Sequence, residues 1–152
     1  MGAKADITLA DFKGSTPLHL AVSQGCAASS RMLLQHSTTR SGTDALLAAA
    51  DAEGNTALHL AAKVMEYGGQ AAAVVISLLE HAKAVHINAT NSLGFTPLIM
   101  ASKKGNKAMV EILLRQPGIE VNSRDSAGRS ALIAGIVSVG GAGMGRRIWT
   151  VK

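Results

Sequence analysis

Five histidines, one cysteine and ten carboxylates are the side chains of this 152-residue chain that could do chemistry. Their spacing argues against catalysis. His19 and His59 each stand three residues after a threonine, Thr16 and Thr56. From there an imidazole bonds back toward the hydroxyl of a helix cap, much as a capping box does. His36 and His81 close apolar helical patterns, where a cation suits the helix dipole. No histidines or cysteines pair at metal-ligand spacing. Cys26 has no base beside it in sequence, and a lone cysteine allows no disulfide within the chain, so nothing demands an oxidising compartment. The glycines at 140–145 fail the dinucleotide spacing, because Arg146 stands at the third glycine, and they lack the Gly-Lys-Ser/Thr ending of a nucleotide loop. Each carboxylate has a place in a turn or on a surface. No nucleophile, base and orienter converge, so the chain is expected to be no enzyme and to hold no cofactor and no metal.

The elements that place these residues come from one phrase repeated four times, at 11–19, 51–59, 91–98 and 125–132. Asp or Asn opens it and glycine follows three residues later, at Gly14, Gly54, Gly94 and Gly128. The opening side chain can bond the backbone two residues on, and glycine supplies a positive φ without steric cost. Thr16, Thr56, Thr96 and Ser130 then fall where a helix N-cap belongs. Pro17 and Pro97 occupy the first helical position, where a missing N–H matters least. Leu18, Leu58, Leu98 and Leu132 are expected to face inward, and Gly25 and Gly105 to end their helices as left-handed caps. A second apolar helical pattern follows around 31–34, 74–79 and 109–114. A turn–helix–turn–helix unit cannot bury its face alone, so the units must stack.

This pattern resembles the ankyrin repeat. The matching residues are Thr-Pro-Leu-His at 16–19, Thr-Ala-Leu-His at 56–59, Thr-Pro-Leu at 96–98, the closing glycines at 25 and 105, the Leu-Leu pairs at 33, 78 and 113, and Val121-Asn122 at a repeat end. The resemblance implies an all-α solenoid of stacked helix pairs with β-hairpin fingers, and a role in binding other proteins. The chain divides into a partial hairpin at 1–10, repeats at 11–50, 51–90 and 91–124, and a partial fourth repeat with a tail at 125–152.

The copies depart from the family in three ways. Their spacings are 40, 40 and 34 residues, against about 33 in the family. The extra residues lie at 37–50, where 44–48 read as an added helical turn, and at 64–72, between the two helices of repeat two. Such insertions are either a working face or tolerated drift. His19 and His59 give way to Ile99 and Ile133, which lose the capping bond and gain apolar surface. At the N-terminus, residues 5–8 read as the tail of a preceding repeat, and the C-terminus carries no polar cap: the glycines at 140–145 interrupt the fourth unit. Either the chain is a piece of a longer array, or Ile148, Trp149 and Val151 fold back over the last helix.

Charge is uneven. Residues 1–90 carry six basic and seven acidic side chains, and residues 91–152 carry nine and three. Lys103, Lys104, Lys107, Arg124 and Arg129 form a basic patch that suits an acidic protein segment or a phosphate-bearing partner; a solvated face accounts for the same residues. Nucleic acid is a minor option, since no aromatic-interleaved platform and no DNA-reading motif occurs. The longest uncharged run, 16 residues at 130–145, falls short of a membrane span. An intracellular protein is expected, cytoplasmic or nuclear.

The four aromatic residues, Phe12, Tyr67, Phe95 and Trp149, all fall outside the helical core pattern. Rings there are either interface anchors or packing between neighbouring fingers. The resemblance assigns partner-facing positions to Phe12, Lys13, Ser15, Glu53, Asn55, Leu93, Phe95 and Arg129 on the fingers. On the inner helices it assigns Gln24, Lys63, Lys103 and Lys104. Two functions fit: a module that binds another protein through finger turns and a concave inner-helix face, or a structural segment of a longer scaffold that stacks, or self-associates, through apolar ends.

Overall fold

The computed structural model describes residues 7–37, 40–64 and 69–141. The inner helices are α1 (Pro17–Ser23), α4 (Ala57–Val64), α7 (Pro97–Lys104) and α9 (Ala131–Gly141). The outer helices are α2 (Ala27–His36), α5 (Gly69–Leu79) and α8 (Lys107–Leu114). Two additional helices, α3 (Arg40–Ala48) and α6 (Ala84–Ile87), precede the second and third turn phrases. Helices pair within each repeat, and α1 packs on α4, α4 on α7 and α7 on α9, with α2 on α5 and α5 on α8. This serial stacking is the expected solenoid.

Local chemistry sets each helix. Thr16 and Thr96 accept from the N–H of His19 and Ile99. Gly105 ends α7 with φ 69°, and its N–H and that of Asn106 bond back to Ser102 and Ala101, closing the orphan carbonyls of the last turn. Asn106 caps α8 by accepting from Met109 N–H at 3.1 Å. Its amide also donates to the Ala62 carbonyl at 3.2 Å, tying repeat three to repeat two.

The core is a continuous stripe. Leu18, Leu58 and Leu98 are 0, 1 and 2 % exposed. Ala61, Ala62 and Ala101 are buried beside them, and these small side chains let stacked helices approach closely. The 37–50 insertion is docked, because α3 sends Leu46 and Leu47 into the same core. Asp44 of α3 pairs with Lys83, just before α6, so the two added segments brace each other.

Three expectations need correction. No strand occurs among the described residues; the fingers are closed turns rather than paired hairpins, because each finger bonds its neighbour through a single rung. Leu132 is 51 % exposed rather than inward-facing. It holds the position of Leu18, Leu58 and Leu98, whose burial comes from the next repeat in the stack. Finally, α9 runs through Gly140 to Gly141, the last described residue, since a glycine weakens a helix without stopping it. Tyr67 and the tail with Ile148, Trp149 and Val151 lie outside the described residues.

Candidate protein-binding surface

Four turns form one edge of the stack, at 11–15, 51–55, 91–95 and 125–129. In each, one side-chain oxygen accepts two backbone N–H groups. Asp11 Oδ1 takes those of Lys13 and Ser15, and Asp51 Oδ1 those of Glu53 and Asn55, at 2.8 to 2.9 Å. Asn91 and Asp125 do the same for Leu93 and Phe95 and for Ala127 and Arg129. Each turn is a rigid platform held by its first residue.

Backbone rungs join one turn to the next. The N–H of Ala52 donates to the Lys13 carbonyl, that of Ser92 to Glu53, and that of Ser126 to Leu93. The approach is close enough to require glycine for space as well as for φ. A Cβ on Gly54 would stand 2.7 Å from Ser92 N, and one on Gly94 2.8 Å from Ser126 N.

Two histidines link inner helices to the following turn. The N–H of Thr16 donates to His19 Nδ1, with the Thr16 hydroxyl 2.8 Å away. Nδ1 is therefore the acceptor, the ring proton sits on Nε2, and Nε2 donates to the Asn55 carbonyl at 3.0 Å. His59 repeats this with Thr56 and with the Phe95 carbonyl at 2.7 Å. The expected capping bond is present in both, and the forward bond to the next repeat is additional. Burial keeps His59 below its ordinary pKa; its bond to Phe95 and the charge of Asp51 oppose that only partly. Burial lowers His86 as well, against the pull of Asp44 and with help from Lys83. Burial thus favours the neutral form of His59 and His86.

The expected site residues divide into frame and surface. Asn55 is buried; its amide nitrogen donates to Asp51 and Glu53, and its oxygen accepts from Asn91. Phe95 is 5 % exposed and belongs to the core. Lys103 Nζ lies 4.5 Å from its ring centroid. Neither Asn55 nor Phe95 presents its side chain to a partner. Arg129 is half-buried and clamps Asp125, with Nε and Nη2 at 2.9 and 2.8 Å from one carboxylate oxygen. Burial would raise the Asp125 carboxyl, but the N–H and guanidinium of Arg129 and the N–H of Ala127 hold it below its ordinary value. Arg124 donates to the Gly128 carbonyl, and Lys107 pairs with Glu111. Much of the basic patch thus serves the fourth turn and α8.

The surface residues are Phe12, Lys13, Ser15, Glu53 and Leu93 on the turns and Gln24, Lys63, Lys103 and Lys104 at the ends of inner helices. Phe12 is 94 % exposed, with Lys13 Nζ 5.8 Å from its ring centroid, and Leu93 is 58 % exposed. Lys63 and Lys103 stand in the same register on the adjacent helices α4 and α7. No cluster of metal-ligating side chains occurs among the described residues. No described helix is long and apolar enough to cross a membrane.

Residues 1–64 and 45–125 match the family model for ankyrin repeats in three copies. The chain belongs to the ankyrin-repeat family. NF-kappa-B inhibitor alpha of Homo sapiens is 49 % identical over 61 residues, 40 % of this ankyrin chain and 19 % of that protein. Rabankyrin-5 of Homo sapiens is 35 % identical over 120 residues, 78 % of this chain and 9 % of that protein. Neurogenic locus notch homolog protein 1 of Xenopus tropicalis is 32 % identical over 122 residues, 80 % of this chain and 4 % of that protein. The chain therefore spans less than a fifth of these relatives. Ankyrin repeats of this kind are protein-interaction modules and generally non-enzymatic scaffolds.

Proposed function

We propose that this ankyrin array binds one partner protein, without catalysis, through its turn tips and the lysine-bearing ends of its inner helices. The observation that carries this is the sorting of side chains within each turn. Asn55 and Phe95 are consumed by the frame, while Phe12 and Leu93 are held out in solvent by the same rigid turns. An exposed ring on a fixed backbone is an inexpensive anchor, because little conformational freedom remains to be lost. Lys63, Lys103 and Lys104 add positive charge on the inner helices α4 and α7, so an acidic segment with apolar side chains is the complementary partner. The lone exposed Cys26 fits an intracellular setting.

The test is a peptide array of Asp/Glu-rich segments containing Leu, Ile or Phe, read with the whole chain as probe. Phe12→Ala combined with Lys63→Ala and Lys104→Ala should abolish binding and leave the melting temperature nearly unchanged. Binding retained by that triple variant, or equal binding to scrambled basic peptides, would overturn the proposal.

A further inference from the structure

Inner helices bury the same three positions in every internal repeat. Leu18, His19 and Val22 in α1 are covered by repeat two; Leu58, His59 and Ala62 in α4, and Leu98, Ile99 and Ser102 in α7, are covered in turn. In α9 the three positions are Leu132, Ile133 and Ile136, and they are 51, 44 and 57 % exposed. Helix α9 carries no charged residue. The opposite end of the stack presents the complementary surface. There α1 and α2 form an open, mainly apolar hollow in which Leu20, Met32 and Leu33 are joined by Gln24, Cys26 and Ser29. Leu20, 48 % exposed, is the counterpart of Leu60 and Met100, which are partly buried against the core in the internal repeats.

We propose that the α9 face of one copy of this chain docks on the α1–α2 face of a second copy, continuing the stack head to tail. The inter-repeat interface within the chain sets the geometry. Each turn lays the N–H of its second residue on the glycine and carbonyl of the turn before it, as Ala52 does on Gly14 and Lys13. Continued once more, Phe12 of the second copy sets its N–H against the Ala127 carbonyl. The backbone beside Gly128 has room for it: a Cβ there would meet nothing within 4 Å, unlike those on Gly14, Gly54 and Gly94. The contact joins two different faces, so it does not close on itself and growth continues beyond the dimer. This inference uses the ends of the stack and does not rest on the partner surface proposed above.

Sedimentation velocity on the full chain, from about 1 to 200 µM, reads the outcome through mass action. The weight-average mass should climb past twice the 15.6 kDa monomer without levelling at a dimer. Ile136→Lys and Leu20→Lys alter exposed side chains on opposite faces, and each alone should hold the chain at monomer mass. An equimolar mixture of the two should recover a dimer and stop there, since each variant keeps one intact face. A monomeric wild type at every concentration would overturn the proposal. So would undiminished association of Leu20→Lys, which would signal pairing of two α9 faces. A monomer whose melting temperature falls sharply on Ile136→Lys would also overturn it, showing the face covered from within its own chain.

Discussion

His59 Nε2 lies 2.7 Å from the carbonyl oxygen of Phe95, thirty-six residues further on. The ring's other nitrogen accepts the N–H of Thr56, three residues back. One imidazole therefore caps its own helix and fastens the following repeat. Both bonds require the neutral ring with its proton on Nε2.

Removing that link takes one of two donors from the Phe95 carbonyl, which keeps the N–H of Asn91, removes the acceptor of the buried Thr56 N–H, and opens a void. His59→Ala should lower unfolding free energy by about 2 to 3 kcal/mol, measured by urea titration. Ile99→Ala at the same position of α7 loses packing alone and should lie within the range for core aliphatic truncation, about 2 to 5 kcal/mol.

Acid should weaken the stack through the same residue. Burial holds folded His59 below the ordinary imidazole value of 6.5, and His86 shifts the same way. The unfolded chain takes up these protons near 6.5, the folded chain only at lower pH. Stability is therefore full above about pH 6.5 and falls as the pH drops from there toward the folded values. Melting temperatures between pH 7.5 and 5 should show this decline, and His59→Ala should flatten it.

The two phenylalanines should behave oppositely. Phe95→Ala empties a core site and should destabilise by about 3 to 5 kcal/mol. Phe12→Ala should stay within about 0.5 kcal/mol of wild type, as exposed substitutions do. Thermal melts of the two variants side by side check this.

Two glycines with nearly equal φ test the backbone rungs. Gly54 and Gly128 sit at 75° and 73°, so alanine at either meets the left-handed penalty of about 1 to 2 kcal/mol. Only at Gly54 does the new Cβ also strike the next turn, 2.7 Å from Ser92 N. Gly54→Ala should therefore destabilise clearly more than Gly128→Ala in denaturant titrations.

The fold was legible because its signals are local. A turn residue, a glycine, a cap and an apolar stripe recur in register, and each acts within a few residues of itself. The half of the histidine bond that reaches Thr16 or Thr56 could be read for the same reason. The other half could not, since Asn55 and Phe95 are brought to the rings by stacking alone. Asn55 reads from sequence as partner-facing, and Phe95 as either partner-facing or packed between fingers, because nothing in a turn's own residues marks it as covered by the next turn. Leu132 illustrates the converse: its sequence position matches Leu98, and its exposure could not be read from its own turn and helix. Arg129 looked like a partner contact, but its spacing of four from Asp125 was the available sign of an internal clamp. The docking of α3 was only half legible, through the helical turn expected at 44–48.

Native-state hydrogen exchange tests most directly the claim that each repeat is held by its neighbour. The rung amides of Ala52, Ser92 and Ser126 report on the three joints between turns. In His59→Ala, exchange at Ser92 and through α7 should accelerate together with exchange in α4, while Ala52 changes less. Faster exchange confined to α4, with Ser92 and α7 protected as in the wild type, would contradict the coupling of the repeats.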